Sequence, residues 1–143
     1  VCSSDLVNRN SNKLLEIPNM LLDENTQAVQ YDWTNNSCQL WSITMKDNLY
    51  TQLQNVNSGL ILEVGGASLE NGAAVVQYPA SGNYCQDWLF SLSTDGYYHL
   101  INRNSKKLLE VINNLTDNGA VIGQWDQTGY LCQEWKLIKE GVK

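Results

Sequence analysis

The residue types best able to do chemistry recur in this sequence at a constant interval of 47 residues. Three glutamates could accept hydrogen bonds from hydroxyl groups: Glu16, Glu63 and Glu110. Three aromatic residues could stack on an apolar surface: Tyr31, Tyr78 and Trp125. Three glutamines could both donate and accept hydrogen bonds: Gln39, Gln86 and Gln133. A pyranose has an apolar C–H face and a rim of hydroxyls, so these three residue types in one place would suit a sugar.

The same interval governs most of the chain, which indicates three tandem copies of one unit. The copies share a turn of sequence Asn-x-Asn-Ser, which begins at Asn8, Asn55 and Asn102. They also share a Gln-x-Trp motif, whose tryptophans are Trp41, Trp88 and Trp135 and are expected in the core. A repeat of this length is typical of a unit that packs against its neighbours. We place the copies at about residues 7–46, 47–93 and 94–140 of a single domain.

Within a copy, the apolar residues follow the period of β-strands rather than that of helices. The middle copy contains four β-prone runs separated by turn residues, at positions 50–54, 60–64, 74–78 and 87–91. Four strands in each copy predict twelve strands in all. One such unit cannot bury its apolar face alone, whereas three units closed around a pseudo-three-fold axis can. The sequence therefore predicts an all-β, closed, threefold structure.

The first six residues depart from the repeat. Where the second and third copies open with Tyr50 and Tyr97, the first has Ser3. The segment 1–6 resembles the translation of a sequencing-library adapter, so we interpret it as a non-native leader and leave Cys2 out of fold reasoning. The domain is then expected to occupy residues 7–143.

Composition narrows the classes of function. The chain has 143 residues, 43% of them hydrophobic, and a formal net charge of −6. The excess of acid disfavours nucleic acid and anionic membranes as partners, and no apolar stretch suits a membrane span. His99 is the single histidine, which disfavours a histidine metal cage. A glycosidase needs two carboxylates about 5–9 Å apart, whereas symmetry-related glutamates should face outward in separate sites. We predict no catalytic residues, no metal and no cofactor.

The three Gln-x-Trp motifs, each preceded by an Asn-x-Asn-Ser turn and a Leu-Glu strand, resemble those of ricin B-chain-like β-trefoil lectins and family-13 carbohydrate-binding modules. The resemblance covers about residues 7–139. It implies a twelve-stranded β-trefoil with up to three shallow sugar sites. Such domains are commonly attached to secreted glycoside hydrolases or toxins, so the resemblance also implies an extracellular location and a catalytic domain in the full-length protein. Galactose, xylose or arabinose units are the sugars that it suggests.

The resemblance also assigns roles to residues in each copy. The acid on the second strand binds neighbouring hydroxyls, the aromatic residue stacks on the sugar, and an Asn-Gln pair before the tryptophan adds hydrogen bonds. Here the acid is Glu where Asp is commoner, and three cysteines replace the Asn: Cys38, Cys85 and Cys132. Asn36 and Asn83, two residues earlier, are candidates to compensate, and Tyr130 holds that place in the third copy. Trp33, predicted in a surface loop, would extend the first site for a second sugar unit.

Each candidate residue also has a structural interpretation. The glutamines could satisfy buried backbone groups, and the aromatic residues could pack at the barrel rim. The glutamates of the first and third copies could pair with nearby bases, which are Arg9, Lys13, Arg103 and Lys107. Residues 48–94 contain no Lys or Arg, yet Glu63 is present, so a local ion pair does not explain that position. At the level of the whole domain, the alternatives to sugar binding are a β-trefoil that binds another protein and a purely structural spacer.

Three cysteines at one repeated position do not suit a set of paired disulfides. We expect Cys38, Cys85 and Cys132 to be free, small and semi-buried. A zinc site formed by the three thiolates on the axis is the weaker alternative, because zinc sites usually show close Cys-x-x-Cys spacing.

Overall fold

The structure is a computed structural model that describes residues 3–140, so Cys2 lies outside the described residues. Within this range the chain forms twelve strands, which confirms the predicted all-β class. They are β1 (Ser3–Asn8), β2 (Leu14–Glu16), β3 (Val29–Tyr31), β4 (Trp41–Lys46), β5 (Tyr50–Asn55), β6 (Ile61–Val64), β7 (Val75–Tyr78), β8 (Trp88–Leu92), β9 (Tyr98–Asn102), β10 (Leu108–Val111), β11 (Ile122–Trp125) and β12 (Trp135–Lys139). The bounds of β5 to β8 agree within one residue with the runs predicted for the middle copy.

Six strands form a closed antiparallel barrel, in the order β1, β4, β5, β8, β9, β12 and back to β1. The other six form three hairpins, β2–β3, β6–β7 and β10–β11, one in each copy. Single bridges join the hairpins into a ring, at Gln27–Val76, Val29–Val121 and Ala74–Gly123. This arrangement is the predicted β-trefoil.

One buried tryptophan from each copy lies at the centre of the core. Trp41, Trp88 and Trp135 are each 0% exposed. Their indole N–H groups donate to the carbonyls of leucines on the second strands, at 3.1, 3.0 and 3.0 Å. Each tryptophan therefore fills core volume and fixes the hairpin of its own copy against the barrel.

Residues 3–6 belong to this barrel. Strand β1 pairs with β12 and with β4, and Leu6 is 0% exposed, like Leu53 and Leu100 at the equivalent positions. The expected start of the domain at residue 7 therefore does not coincide with a boundary in the structure, and the repeat extends into the segment. The interpretation of that segment as adapter-derived stays a prediction.

The Asn-x-Asn-Ser segments are turns held by their own side chains, as expected for these residue types. In the first copy, the Asn8 Oδ1 accepts hydrogen bonds from the backbone N–H groups of Asn10 and Ser11. The Asn8 Nδ2 donates to the Cys132 carbonyl at 2.9 Å and so joins the first copy to the third. Asn55 and Asn102 make the equivalent bonds.

Short 3-10 turns, which the sequence did not predict, complete each copy. Three precede the tryptophan strands, at Ser37–Gln39, Tyr84–Gln86 and Leu131–Gln133. Three follow the glutamate strands, at Pro18–Met20, Gly65–Ala67 and Ile112–Asn114. No helix in the described residues is long and apolar enough to cross a membrane.

Candidate functional site

Three separate hollows on the surface contain the predicted chemical residues, one for each copy. We call them cup 1, cup 2 and cup 3 after the copy that supplies their glutamate, which is Glu16, Glu63 or Glu110. Their volumes are about 500, 400 and 380 Å³ in that order, which suits small ligands. The carboxylate, the aromatic residue and the cysteine of each copy all line the same cup.

The glutamates form the buried wall of the cups. Side chains alternate along a strand, so the leucine before each glutamate points into the core and the glutamate points away from it. Each glutamate is 6% exposed, and its Oε1 accepts a hydrogen bond from a glutamine Nε2 at 2.9, 3.0 and 3.0 Å. Burial raises the pKa of each glutamate, and the hydrogen bond from the glutamine opposes that change. An ionised carboxylate has about four lone-pair sites, so each retains capacity to accept from a ligand.

The glutamines stand behind the carboxylates. The Gln86 Nε2 donates to Glu63 and to the Pro79 carbonyl at 3.0 and 2.9 Å, and its Oε1 accepts from the Ser81 N–H at 2.9 Å. Gln39 and Gln133 make the same three bonds.

All three glutamines are at most 1% exposed, and both amide hydrogens of each are engaged. This arrangement favours the structural alternative for Gln39, Gln86 and Gln133, and their contact with a sugar stays a prediction. They orient the carboxylates and hold the loop that follows each aromatic residue, which is the structural role that the sequence had left open.

The aromatic residues face the cups because side chains alternate along a strand and a second set of glutamines, directly before the aromatic residues, faces inward. Gln30, Gln77 and Gln124 are 0% exposed, whereas Tyr31 is 39% and Trp125 is 38% exposed. Tyr78 is half-buried. Each ring lines the cup that contains the glutamate of its own copy. The predicted pairing of an acid with a flat ring is thus present three times.

The position two residues before each cysteine also contributes to the cups. Asn36 lines cup 1, Asn83 lines cup 2 and Tyr130 lines cup 3. Trp33 is 57% exposed in the loop after β3, as predicted, but it is not among the described residues that line cup 1. Trp33 therefore lies outside the hollow of cup 1, and its role in binding a second sugar unit stays a prediction. Cup 3 is the one whose lining contains a second aromatic ring.

The three cysteines are free, as expected, and they are buried rather than semi-buried. Each lines a different cup, so they do not converge on the axis as the zinc alternative required. The Cys85 Sγ lies 3.8 Å from the Glu63 Oε1 and donates to it. Burial, followed by the nearby glutamate, raises the pKa of Cys85 and Cys132 to about 11. The thiols therefore stay protonated at neutral pH.

Sequence reasoning missed the turn after each glutamate strand, which forms part of the wall of each cup. Asn19 and Met20 line cup 1, Gly66 and Ala67 line cup 2, and Asn113 and Asn114 line cup 3. The backbone of all six is left-handed, with φ between 52° and 63°. The Asn, Gly and Asn at the first of these positions were the available signal, because these residues tolerate that conformation best.

Each cup also borrows a hairpin loop from another copy. Asn25 of the first copy lines cup 2, and Gly119 of the third copy lines cup 1. Gly72 of the second copy lies beside the Trp125 ring of cup 3. The three cups therefore depend on the closed threefold assembly.

The nearby bases pair with other acids. Lys13 lies 3.3 Å from Asp32, and Lys107 lies 2.9 Å from Asp126. Arg9 pairs with Asp95 and Glu134, and Arg103 pairs with Asp47 and Asp87. Among the residues that the structure describes, no salt bridge reaches the three cup glutamates, so the ion-pair interpretation of these acids is not supported.

No group of three or more His, Cys, Asp or Glu residues within positions 3–140 is arranged to hold a metal ion. His99 lies on β9 opposite Ser91 of β8 and lines none of the three cups.

Comparisons with known proteins agree with the fold. The profile of the family described as ricin-type beta-trefoil lectin domain-like matches residues 3–78 and 84–142. Among solved structures, the designed 3-fold symmetric protein ThreeFoil is 34% identical with a TM-score of 0.93, over 95% of this chain and 97% of that one. An exo-beta-1,3-galactanase from Clostridium thermocellum is 35% identical with a TM-score of 0.94, over 96% of this chain and 30% of the galactanase chain.

The Rhizoctonia solani agglutinin has the same fold, with a TM-score of 0.87 and 18% identity over 96% of this chain and 94% of the agglutinin. Curated proteins gave no match to the sequence.

Proposed function

The chain belongs to the family of ricin-type β-trefoil lectin domains, and from this premise we propose that its three cups bind sugar units of polysaccharides or glycans without cleaving them. The observation that carries the proposal is the repetition of one chemical set. Every cup combines a buried carboxylate with a solvent-facing aromatic ring, in three copies related by the fold. A structural requirement alone does not explain why the ring is left facing solvent in each cup.

The two groups divide the recognition of a pyranose between them. The carboxylate accepts hydrogen bonds from neighbouring hydroxyls, and it is already oriented by the glutamine behind it. The ring offers its face to the apolar C–H surface of the sugar. Since the carboxylate is oriented before binding, little of its side-chain entropy is lost when the sugar arrives.

Each cup is shallow and should bind weakly. A millimolar dissociation constant corresponds to about −4 kcal/mol. Three cups on one rigid domain can engage one polymer chain or surface together, which raises the effective concentration of the later contacts. We therefore expect retention on a polysaccharide to be much stronger than the affinity for a free monosaccharide.

The sugar class follows from the resemblance and from the galactanase comparison. We propose galactose, xylose or arabinose units, with β-1,3-galactan as the first polymer to test. The 35% identity extends over 30% of the galactanase chain. That proportion supports a role as a module appended to a secreted glycoside hydrolase, and hence an extracellular location.

A protein-binding trefoil is the competing function. A docking face would be one contiguous patch that spans the copies. The acids and rings instead lie in three separate hollows, each with its own carboxylate and ring. This separation favours small, repeated ligand units over a single protein surface.

The test is retention on immobilised polysaccharides, with β-1,3-galactan, xylan and arabinoxylan as probes. The wild type is compared with a triple variant carrying Glu16→Gln, Glu63→Gln and Glu110→Gln. Glutamine keeps the volume and can still accept from the glutamine behind it, so the fold should survive while the carboxylates are lost. We expect the wild type to be retained on at least one polymer and the triple variant to pass through.

The three single variants then compare the cups, and we expect cups 1 and 3 to matter most. Retention of the folded triple variant would show that the carboxylates are not the binding groups. Passage of the wild type through all three polymers would reject the proposed sugar class.

A further inference from the structure

The position occupied by Asn36, Asn83 and Tyr130 differs among the cups although its backbone does not. Its φ and ψ angles are −87° and 149° in the first copy, −73° and 147° in the second, and −74° and 148° in the third. In all three, the backbone N–H donates to a Thr or Ser hydroxyl two residues earlier, at 3.1 to 3.3 Å. The three copies therefore share one backbone conformation at this position and differ only in the side chain.

In cup 3 this position supplies a second aromatic ring. Tyr130 is 61% exposed and Trp125 is 38% exposed, and both line the same hollow as Glu110. Cups 1 and 2 have one aromatic residue each in their linings and an asparagine where cup 3 has the tyrosine. An asparagine can bond a hydroxyl, whereas a tyrosine ring offers a broad apolar surface to a ligand.

The remaining wall of cup 3 is polar. Asn113 and Asn114 line it beside Glu110. A single pyranose seated on Trp125 can use these groups for its hydroxyls. Tyr130 then remains as a second apolar platform, which a lone sugar does not need.

We propose that Tyr130 makes cup 3 selective for linked sugars: Trp125 stacks on the first unit and Tyr130 on the next unit of the same chain. Cups 1 and 2 bind single units with little preference for a neighbouring one. This inference rests on the proposed function of the cups as sugar sites, and it makes cup 3 the site that distinguishes a polymer from a free monosaccharide.

The test isolates cup 3 in a background with Glu16→Gln and Glu63→Gln. Four probes are titrated by calorimetry: methyl β-galactoside, methyl β-1,3-galactobioside, methyl β-xyloside and methyl β-xylobioside. For the sugar type that binds, we expect the disaccharide to bind about 3- to 10-fold more tightly than the monosaccharide, as one added stacking contact would give. Tyr130→Asn should bring this ratio close to one, and Tyr130→Phe should keep it.

The reciprocal variant tests the same position in another cup. In a background with Glu16→Gln and Glu110→Gln, Asn83→Tyr should give cup 2 a preference for the disaccharide that it otherwise lacks. Tyr130→Asn and Asn83→Tyr each introduce the residue that another copy has at the equivalent position. Because the backbone conformation there is the same in all copies, folding should be preserved. Circular dichroism and the Tm confirm it, and Leu92→Asn, on an exposed residue of β8, serves as the neutral control.

The outcomes separate this inference from the proposed function. If Tyr130→Asn weakens both members of a sugar pair equally, both rings clamp one sugar and the inference is wrong, although the cups still bind sugar. An unchanged ratio likewise overturns it. If the unmodified protein binds none of the four probes, the proposal of galactose and xylose units fails and the inference fails with it.

Discussion

Beneath the cups the three copies make the same side-chain hydrogen bonds, whereas at the cup rims their residues differ. The indole bonds of the three tryptophans span 3.0 to 3.1 Å, and the bonds from the glutamines to the glutamates span 2.9 to 3.0 Å. At the rims, Met20 of cup 1 is replaced by Ala67 in cup 2 and by Asn114 in cup 3. The same contrast separates the asparagines of cups 1 and 2 from Tyr130.

The contrast follows from what each region contacts. We call the residues beneath the cups the framework. The framework residues of all copies meet in one closed core, where packing is dense and a change in one copy alters the contacts of the others. A rim residue contacts solvent or a ligand and need not match its counterparts. The threefold fold can therefore carry three different cups on one shared set of core contacts.

The largest effect is expected from removing a framework tryptophan. Trp88→Ala leaves a cavity at the centre of the core and removes the donor to the Leu62 carbonyl. A large-to-small change of this kind costs about 3–5 kcal/mol. The free energy of unfolding in urea measures it, and Leu92→Ala at a 67% exposed position is the control. A loss below about 1 kcal/mol would mean that the copies tolerate differences in the core as readily as at the rims.

A second prediction concerns one place where the framework does vary. The glycine Gly123 stands where the other copies have Val29 and Val76. A Cβ atom there would lie 2.6 Å from the Ile112 Cδ1 and 2.9 Å from the Ala73 carbonyl oxygen. Gly123→Val should therefore destabilise the protein by about 1–3 kcal/mol through overpacking. Thermal or urea unfolding measures the change.

The second copy contains the compensating pair, because it has Gly65 where the third has Ile112, and the Val76 methyl groups fill the space beside Gly65. Adding Ile112→Gly to Gly123→Val should recover part of the lost stability, since the two substitutions share one volume. Additive losses in the double variant would show that the two positions do not compensate each other.

The framework could be predicted from the sequence because its residues repeat. The constant interval placed Trp41, Trp88 and Trp135 in the core and located the strands of the middle copy within one residue. The repeat also predicted that each glutamate lies near the aromatic residue of its own copy, as the structure shows. The burial of Leu6 in the core was not predicted, because the segment around it departs from the repeat at Ser3. The 47-residue interval from Leu6 to Leu53 was the available signal.

The rest of the site could not be predicted because it depends on partners that are distant in sequence. The role of Gln86 follows from where the loop at Pro79 and Ser81 folds back, and no local pattern records that. The 3-10 turns are three residues long, too short for a periodic signal. The entry of Asn25 into cup 2 depends on how the hairpins of two different copies meet.

The cup glutamates should give pH effects that a framework residue does not. Burial raises their pKa above 4.5 in the folded protein. Below pH 4.5 they are protonated in both the folded and the unfolded state; as the pH rises through the folded-state pKa, the buried form must become charged and stability is lost. The triple Glu→Gln variant should therefore be more stable than the wild type at neutral pH, and its advantage should shrink towards pH 4.5.

Sugar binding should have the opposite pH dependence to stability, because binding needs the charged carboxylate as a hydrogen-bond acceptor. We expect retention on the polysaccharide to decline as the pH falls through the raised pKa. Urea unfolding of both proteins and the retention assay, across the same pH series, measure the two trends. A stability difference that stays constant with pH would show that burial in the cups does not raise the pKa of the glutamates.

The smallest effect is expected at Trp33, the aromatic residue that the sequence placed in an extended first site. It is exposed but does not line cup 1, whereas Tyr130 lines cup 3. In a background that leaves only cup 1 active, Trp33→Ala should change the affinity for the disaccharide less than about twofold, because a ring outside the cup forms no stacking contact there. Calorimetry with the same sugar pairs measures it. A loss in cup 1 as large as the one that Tyr130→Asn causes in cup 3 would restore Trp33 as a sugar platform, and the first cup would then also distinguish linked sugars from single ones.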